Sequence, residues 1–340
     1  MLIHAVSENG HRKPYLDLLG AMCGGEPIYG PLRGNVFLRL LQADRVLIST
    51  VDDDVMGFGL LTLKRSLRGL PTLGLFLRPQ SCFGLSGPAV IKRLLFSLLK
   101  SLPKATVASI TPFDVAPHYA KVSNIGLHDP QYWDLVLRKS LPNLSQTEFS
   151  RDIKRAAGDR MICTAIGALR SSKGIGFLAQ MLEQHSFLHE RTLWLFAGRV
   201  PEDDQVLLRK VEACGATIIN RYLTDAEIES LYGISDAVWS CYAPEYDQAS
   251  GIFGRAVQFG VPAIVRRHSL IHRFADQRKI PVIALEYGDP GTAATLAEAL
   301  SSRKAIAPLS AEEILRWGNH FIEQIYNSLR ISSDNSKYNL

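Results

Sequence analysis

The sequence predicts an α/β protein of two domains, each a parallel sheet covered by helices. Three observations carry this expectation. Apolar, β-branched runs alternate with helical patterns, as strand–helix–strand units require. At 340 residues the chain is long enough for two separate cores. A polar stretch containing Pro, Asn, Ser and Gly, LPNLSQTEFSRDIKRAAGDR (141–160), falls near the middle. The expected division is therefore 1–150, 151–330 and a polar tail at 331–340.

In the first half, LIHAV, RVLISTV, TLGLFLR and ATVASITPF are candidate strands. Helices are expected over about Arg12–Met22 and Pro88–Leu102. The second of these carries Val90, Ile91, Leu94, Leu95, Leu98 and Leu99 on one face, opposite Lys92, Arg93 and Lys100. Such a helix most often covers a sheet, and it can also lie on an anionic membrane.

The second half alternates more regularly. RMICTAIG (160–167) is a strand, followed by a polar turn and a helix from about Lys173. RTLWLFAG (191–198) is the next strand. PEDDQVLLRKVEACG is a helix with acids in its first turn, where the macrodipole favours them. ATIINRYL leads into TDAEIESLYG, where Thr224 and Glu227 make a capping box. DAVWSCYA (236–243) is a strand, GIFGRAVQFG a short helix, PAIV and PVIALEYG two further strands. A helix over about Thr292–Ser301 follows. The last helix, Ser310–Arg330, opens on a second capping box (Ser310, Glu313) and carries Ile314, Trp317, Phe321 and Ile325 at helical spacing.

Composition narrows the class of function. With 46% hydrophobic and 21% charged residues and no low-complexity tract, the chain is globular. No apolar run approaches the roughly 20 residues that span a bilayer, and no signal peptide is expected at MLIHAVSENGHRK. The five cysteines are far apart and never in C-x-x-C spacing, which argues against a disulfide framework or zinc site and for the cytoplasm. Residues 1–150 hold 16 Lys and Arg against 11 Asp and Glu, and the remainder holds 22 against 22. The net charge of +5 thus sits in the first half, which suits an anionic membrane surface or acidic acceptor, or is a solvated surface. No basic stripe interleaves with aromatics, so nucleic acid is not an expected partner.

Three segments of the second half fall at strand C-termini, where open α/β sheets bind ligands. In GALRSSKG (167–174), Gly167 ends a strand and Lys173–Gly174 opens a helix three residues after Arg170. Helix N-terminal amides attract phosphate, and the Lys and Arg neutralise its charge. In EYDQASGIFGRAVQFG (245–260), Ser250 and Gly251 precede a helix, while Glu245 and Asp247 stand where carboxylates can accept sugar hydroxyls. The third segment is AGR, with Gly198 and Arg199. Taken singly, each is also explained as a surface turn, an ordinary Ser cap or loop acids.

Together, the G-x-L-x-x-x-K-G turn, the strand ending in AG, the capped helix ending LYGISDAVWSCY, the acidic loop with S-G and the helix ending GVPAIV resemble one thing. They are similar to the donor-binding domain of family-four-type glycosyltransferases of the GT-B fold, over roughly residues 160–302. The resemblance implies two Rossmann-like domains facing across a cleft, a nucleoside diphosphate sugar as donor, and a glycan, lipid-linked or other acceptor. It implies transfer with retention, without a metal or other cofactor, and surface polysaccharide assembly is a role such enzymes fill. Lys173 and the Ser250–Gly251 amides would contact the diphosphate, and Tyr222–Leu223 would line the base. The family's arginine after the first glycine is Ala168 here, leaving Arg170 as substitute. Its paired glutamates map onto Asp247 and Arg255; Asp247 can hold the donor sugar, but Arg255 cannot accept from ribose hydroxyls. Tyr246 followed by Ser250–Gly251 is closer to a branch with a tyrosine before the S-G turn. The altered positions also admit a catalytically silent GT-B protein that binds a nucleotide or glycan.

In the first half, NGHRKPY (9–15) directly follows the first strand. Gly10, His11 and Arg12 are the candidate substrate-side residues, with His11 the candidate catalytic one. Asp52–Asp53–Asp54 are expected to be solvated acids at a strand end or helix cap. His268 and His272 have helical i, i+4 spacing, but no third metal ligand accompanies them. The glycines at 174 and 176 lack the third member of a dinucleotide fingerprint.

Overall fold

The computed structural model describes residues 1–7, 12–137, 147–289, 291–302 and 309–332. It divides into two compact units, Met1–Lys139 with Leu315–Leu340, and Ser140–Ile314. Each unit holds a six-stranded, wholly parallel sheet.

In the first unit the strands are β1 (Leu2–Ala5), β2 (Glu26–Tyr29), β3 (Val46–Ile48), β4 (Thr72–Phe76), β5 (Ala105–Ser109) and β6 (Ile125–Gly126), in the order β2-β1-β3-β4-β5-β6. The helices are α1 (Arg12–Cys23), α2 (Gly34–Gln42), α3 (Val55–Leu67), α4 (Gly87–Leu99) and the single turn α5 (Asp134–Leu137). Right-handed crossovers place α1 on one face of this sheet and α2, α3 and α4 together on the other. Val46, Leu47, Ile48, Leu73 and Leu75 are fully buried, as strands covered on both faces must be. The helix α4 differs from its expected sheet-covering face. It buries Ala89, Phe96 and Leu99, with Phe96 stacked 4.2 Å from Phe76, and leaves Ile91, Leu94 and Leu98 exposed.

Arg65 of α3 ties this unit together from inside. Its guanidinium donates to Thr72 Oγ1 at 2.7 Å, to the Leu40 and Ala43 carbonyls at 2.6 Å and to the Pro71 carbonyl at 2.9 Å. Burial lowers it to about 10, so it remains charged at neutral pH.

In the second unit the strands are β7 (Met161–Ile166), β8 (Thr192–Ala197), β9 (Thr217–Ile219), β10 (Ala237–Ser240), β11 (Ala263–Arg266) and β12 (Val282–Leu285), in the order β12-β11-β10-β7-β8-β9. Its helices are α6 (Glu148–Ala157), α7 (Ile175–Gln184), the turn α8 (Phe187–Glu190), α9 (Gln205–Ala213), α10 (Asp225–Ile234), α11 (Gly251–Phe259), α12 (Leu270–Gln277) and α13 (Thr292–Ser301). The Thr224–Glu227 capping box forms on α10. Trp194 and Trp239 meet edge to face at 6.2 Å in the core. Within the stretch expected to be a linker, residues 148–157 form α6, capped by the Thr147 hydroxyl; residues 141–146 lie outside the described residues.

The last helix, α14 (Ala311–Leu329), is capped by Ser310. The sequence placed it with the second domain, but from Leu315 onward it belongs to the first unit. Phe321 packs 5.1 Å from Trp133, the Tyr326 hydroxyl donates to the Met22 carbonyl, and Arg45 donates to the Leu329 carbonyl. Helical spacing shows that a face is buried without showing which core it covers. The end of the expected tail, 333–340, lies outside the described residues.

Candidate functional site

The strand order of the second unit reverses between β7 and β10, since β7 is followed by β8 on one side and β10 lies on the other. The crevice beyond such a switch point is where open parallel sheets take ligands. Two loops build it, one after β7 and one after β10.

Backbone constraints hold the first loop close. Gly174 has φ 72°, and a Cβ there would sit 2.0 Å from the Cys241 carbonyl oxygen. Only glycine allows that approach. The Ala243 amide donates to the Ser172 carbonyl at 3.1 Å, and Trp239 Nε1 donates to the Lys173 carbonyl at 2.9 Å. Gly198, with φ 146°, is pressed on the same loop: its Cβ would lie 1.9 Å from the Gly167 carbonyl oxygen.

Lys173 is thereby fixed where the two loops meet. Its ammonium lies 4.0 Å from the centre of the Tyr242 ring and 4.5 Å from that of Tyr246. The two rings meet edge to face at 5.5 Å. Burial pulls the ammonium down, the two phenols more than offset it, and the net shift is upward, so Lys173 is charged at neutral pH. Tyr242 is buried, and its hydroxyl is 2.7 Å from Ser250 Oγ. Ser250 in turn caps α11, accepting from the Phe253 amide at 3.3 Å. Lys173, Tyr242, Ser250 and the start of α11 at Gly251 thus form one connected group. A cation held beside first-turn amides, which lack intrahelical acceptors, suits an anion such as a phosphate.

Asp247 borders this group. Its Oδ1 accepts from Arg266 at 2.9 Å and from the Leu270 amide at 2.7 Å, and its Oδ2 is 3.7 Å from Arg273. Arg266 also donates from Nε to the Tyr242 carbonyl at 3.1 Å, which joins Asp247 to the loop after β10. Arg255, one turn into α11, lowers the carboxyl of Glu229 of α10 electrostatically, although burial and Asp225 raise that group overall. Arg199 and Tyr222 form a separate exposed pair, with the guanidinium 5.4 Å from the ring centre and a 3.3 Å hydrogen bond to the hydroxyl. The Leu169 amide bonds to the Arg199 carbonyl, so the pair is linked to the first loop through backbone. Leu223 is half-buried beside it, and the Arg170 side chain is exposed.

Tyr242 and Arg266 are the site residues that the sequence reading misses. A tyrosine two positions past a strand reads as core, and nothing local marks Arg266 as a partner of Asp247. Gly10 and His11 lie outside the described residues; Arg12 opens α1. Of the three consecutive aspartates, Asp54 is the expected cap, accepting from the Gly57 amide at 2.8 Å. Asp52 is not solvated. Its side chain is 8% exposed and pairs with Lys92 at 3.4 Å. It also accepts from the Leu77 and Arg78 amides, and burial, outweighing these partners, pushes its carboxyl up. Among the described residues, no group of three His, Cys, Asp or Glu side chains is placed to hold a metal, and no helix is long and apolar enough to cross a membrane.

No protein-family model and no curated protein matches the chain. Solved structures do. A UDP-forming α,α-trehalose-phosphate synthase from Burkholderia xenovorans is 13% identical, with a TM-score of 0.60 over 86% of this chain and 75% of that one. Trehalose-6-phosphate from E. coli bound with UDP-2-fluoro glucose, as that structure is described, is 13% identical, with a TM-score of 0.54 over 86% of this chain and 72% of the other. A putative UDP-N-acetylglucosamine 2-epimerase from Listeria monocytogenes is 12% identical, with a TM-score of 0.57 over 98% of this chain and 97% of that one. With its two parallel six-stranded sheets, the chain has the GT-B fold of these structures. Identities this low establish the fold alone.

Proposed function

We propose that the protein is a glycosyltransferase that takes its sugar from a nucleoside diphosphate sugar. The observation that carries this is the Lys173 ammonium, held by Tyr242 and Tyr246 at the β7/β10 switch point beside the Ser250-capped start of α11. The fold neighbours support the donor class, since their descriptions name UDP, a UDP-sugar analogue or UDP-N-acetylglucosamine.

In this reading Lys173, the α11 amides at Ser250 and Gly251, and Arg170 stabilise the charge that develops on the departing diphosphate. Protein cations and the helix dipole then do what a metal does elsewhere. Gly167 and Gly198 keep the loop backbone low enough for the phosphates to approach. Arg199, Tyr222 and Leu223 border the base, and Asp247 Oδ2 takes a hydroxyl of the donor sugar. Arg255 stands beside the nucleotide, where it offers donors only. The first unit, with Gly10, His11 and Arg12, is assigned the acceptor, a glycan or lipid-linked molecule. Transfer proceeds with retention, and assembly of surface polysaccharide in the cytoplasm is the setting that the sequence resemblance suggests.

The test is release of free diphosphate from a set of UDP-, GDP-, ADP- and TDP-sugars with simple glycan acceptors, in EDTA. Turnover that Lys173→Ala abolishes supports the assignment. The engagement of Asp247 Oδ1 by Arg266 and Leu270 favours a second reading, a protein that binds the nucleotide sugar without turning it over. Tight nucleotide binding with no release of diphosphate from any donor would establish that second reading.

A further inference from the structure

The helices α3 and α4 expose apolar side chains that a water-facing helix does not need. On α3, Met56, Leu60, Leu63 and Leu67 are 74%, 49%, 43% and 81% exposed. Their spacing of four, three and four residues puts all of them on one stripe at about 100° per residue. On α4, Ile91, Leu94 and Leu98 are 66%, 64% and 63% exposed, again on one stripe by their spacing of three and four. Both helices follow consecutive parallel strands on the same sheet face, and Gly59 of α3 faces Leu95 of α4, so the stripes run side by side. The loop leading into α4 adds Leu85, fully exposed. Scattered surface leucines need no explanation, but two adjacent apolar stripes make a contiguous patch of the kind that marks an interaction surface.

The charge around the patch says what covers it. Residues 55–113 contain eight Lys and Arg and not one Asp or Glu. Arg65 and Lys92 are engaged internally, with the Leu40, Ala43 and Pro71 carbonyls and with Asp52. Lys64, Arg68 and Arg78 are exposed and Arg93 is half-exposed. By helical spacing Lys64 and Arg68 flank the α3 stripe on the side of α2, where Lys64 lies over the Phe37 ring, whereas Arg93 lies about 100° beyond Leu94 around α4. An apolar strip with a cationic fringe, its acids confined to Asp52–Asp54 at the entry to α3, combines the two signals needed for stable peripheral attachment to an anionic bilayer.

We propose that the exposed face of α3 and α4 docks on an anionic lipid surface, with Leu60, Leu63, Leu94 and Leu98 entering the headgroup–acyl boundary and Lys64 and Arg68 meeting lipid phosphates. The proposal does not rest on the donor-site reading, because attachment is measured without nucleotide. The full chain is sedimented with vesicles of phosphatidylcholine alone and of phosphatidylcholine mixed with phosphatidylglycerol. It pellets with the mixed vesicles, less so in high salt, and stays in solution with the neutral ones. The double variant Leu60→Ser/Leu94→Ser loses about tenfold or more of the bound fraction, and Lys64→Glu/Arg68→Glu reduces binding to mixed vesicles. Leu60→Ser/Leu94→Ser melts close to the wild type, since both side chains are exposed, and Lys64→Glu/Arg68→Glu stays folded with a modestly lower melting temperature, since it places two acids at the C-terminal end of α3. Absence of binding to mixed vesicles, or binding that neither variant changes, overturns the proposal. So does a dimer in size-exclusion chromatography that Leu60→Ser/Leu94→Ser converts to monomer, which would assign the face to a second copy of the chain.

Discussion

Replacing Gly174 with alanine tests whether the loop that carries Lys173 is as tightly seated as the structure shows. Two costs add at this position. The φ of 72° is a left-handed conformation that costs an alanine about 1–2 kcal/mol. The new Cβ also lies 2.0 Å from the Cys241 carbonyl oxygen, a backbone atom that no rotamer change can move aside. Overpacking of that kind costs about 1–3 kcal/mol. Together the loss is about 2–5 kcal/mol, or roughly 4–20 °C in melting temperature for a unit of this size. Gly215 separates the two costs, because it has φ 85° and open space around its Cβ position. Gly215→Ala should cost about 1–2 kcal/mol and no more. The assay is thermal unfolding of both variants beside the wild type, followed by titration with the nucleoside diphosphate that stabilises the wild type. Gly174→Ala should melt below Gly215→Ala and bind nucleotide more weakly, because relief of the clash pulls Lys173 from Tyr242 and Tyr246. Equal melting points for the two variants would refute the claimed close approach.

Arg65→Met should lose about 3–5 kcal/mol, as it strands the Leu40, Ala43 and Pro71 carbonyls and Thr72 without their donor; Arg65→Lys should restore little, which unfolding in urea would show. Glu227 is held down to about 2, first by its hydrogen bonds from Arg221 and then by those from Thr224. A depressed carboxyl contributes its stability above its unfolded value, near 4.5, and loses it as pH falls toward 2. The melting temperature of the wild type should therefore fall more steeply over that window than that of Glu227→Gln. Tyr242→Phe keeps the ring beneath Lys173 but removes one hydrogen-bond partner of Ser250 Oγ, and it should cost about 1 kcal/mol by denaturant titration. Asp247→Asn keeps an acceptor for the Leu270 amide but removes the charge that Arg266 pairs with, so it should cost about 1–3 kcal/mol by denaturant titration. If Asp247 holds the donor sugar, turnover of the variant that remains folded should fall well beyond that loss of stability.

The second unit was largely legible because its strands are buried on both faces and stand out as continuous apolar runs, and because Thr224 and Glu227 mark a helix start in four residues. The first unit hid more. The strand β2 is four residues long with Glu26 and Pro27 exposed, so it lacks an apolar run. The helix α3 is apolar on its buried and its exposed sides alike, which erases the periodicity by which helices are found. In α6, only Ser150, Ile153 and Ala157 are buried, and so polar a helix resembles a linker. In the site, Lys173 and Ser250 were visible because strand ends and helix caps are local features. The contacts of Lys173 with Tyr242 and of Asp247 with Arg266 were not, because each joins residues of different strand–loop units through the order of the sheet.

The most direct test of the donor-site assignment is a thermal-shift panel of UDP, GDP, ADP, CMP, TDP and NAD in EDTA, on wild type and Lys173→Ala. A ligand at about 100 times its dissociation constant adds about 2.7 kcal/mol of stability, which is readily seen. The assignment predicts that one nucleoside diphosphate raises the melting temperature of the wild type and fails to raise that of Lys173→Ala. Stabilisation by NAD alone, by no nucleotide, or equally in wild type and variant would contradict it.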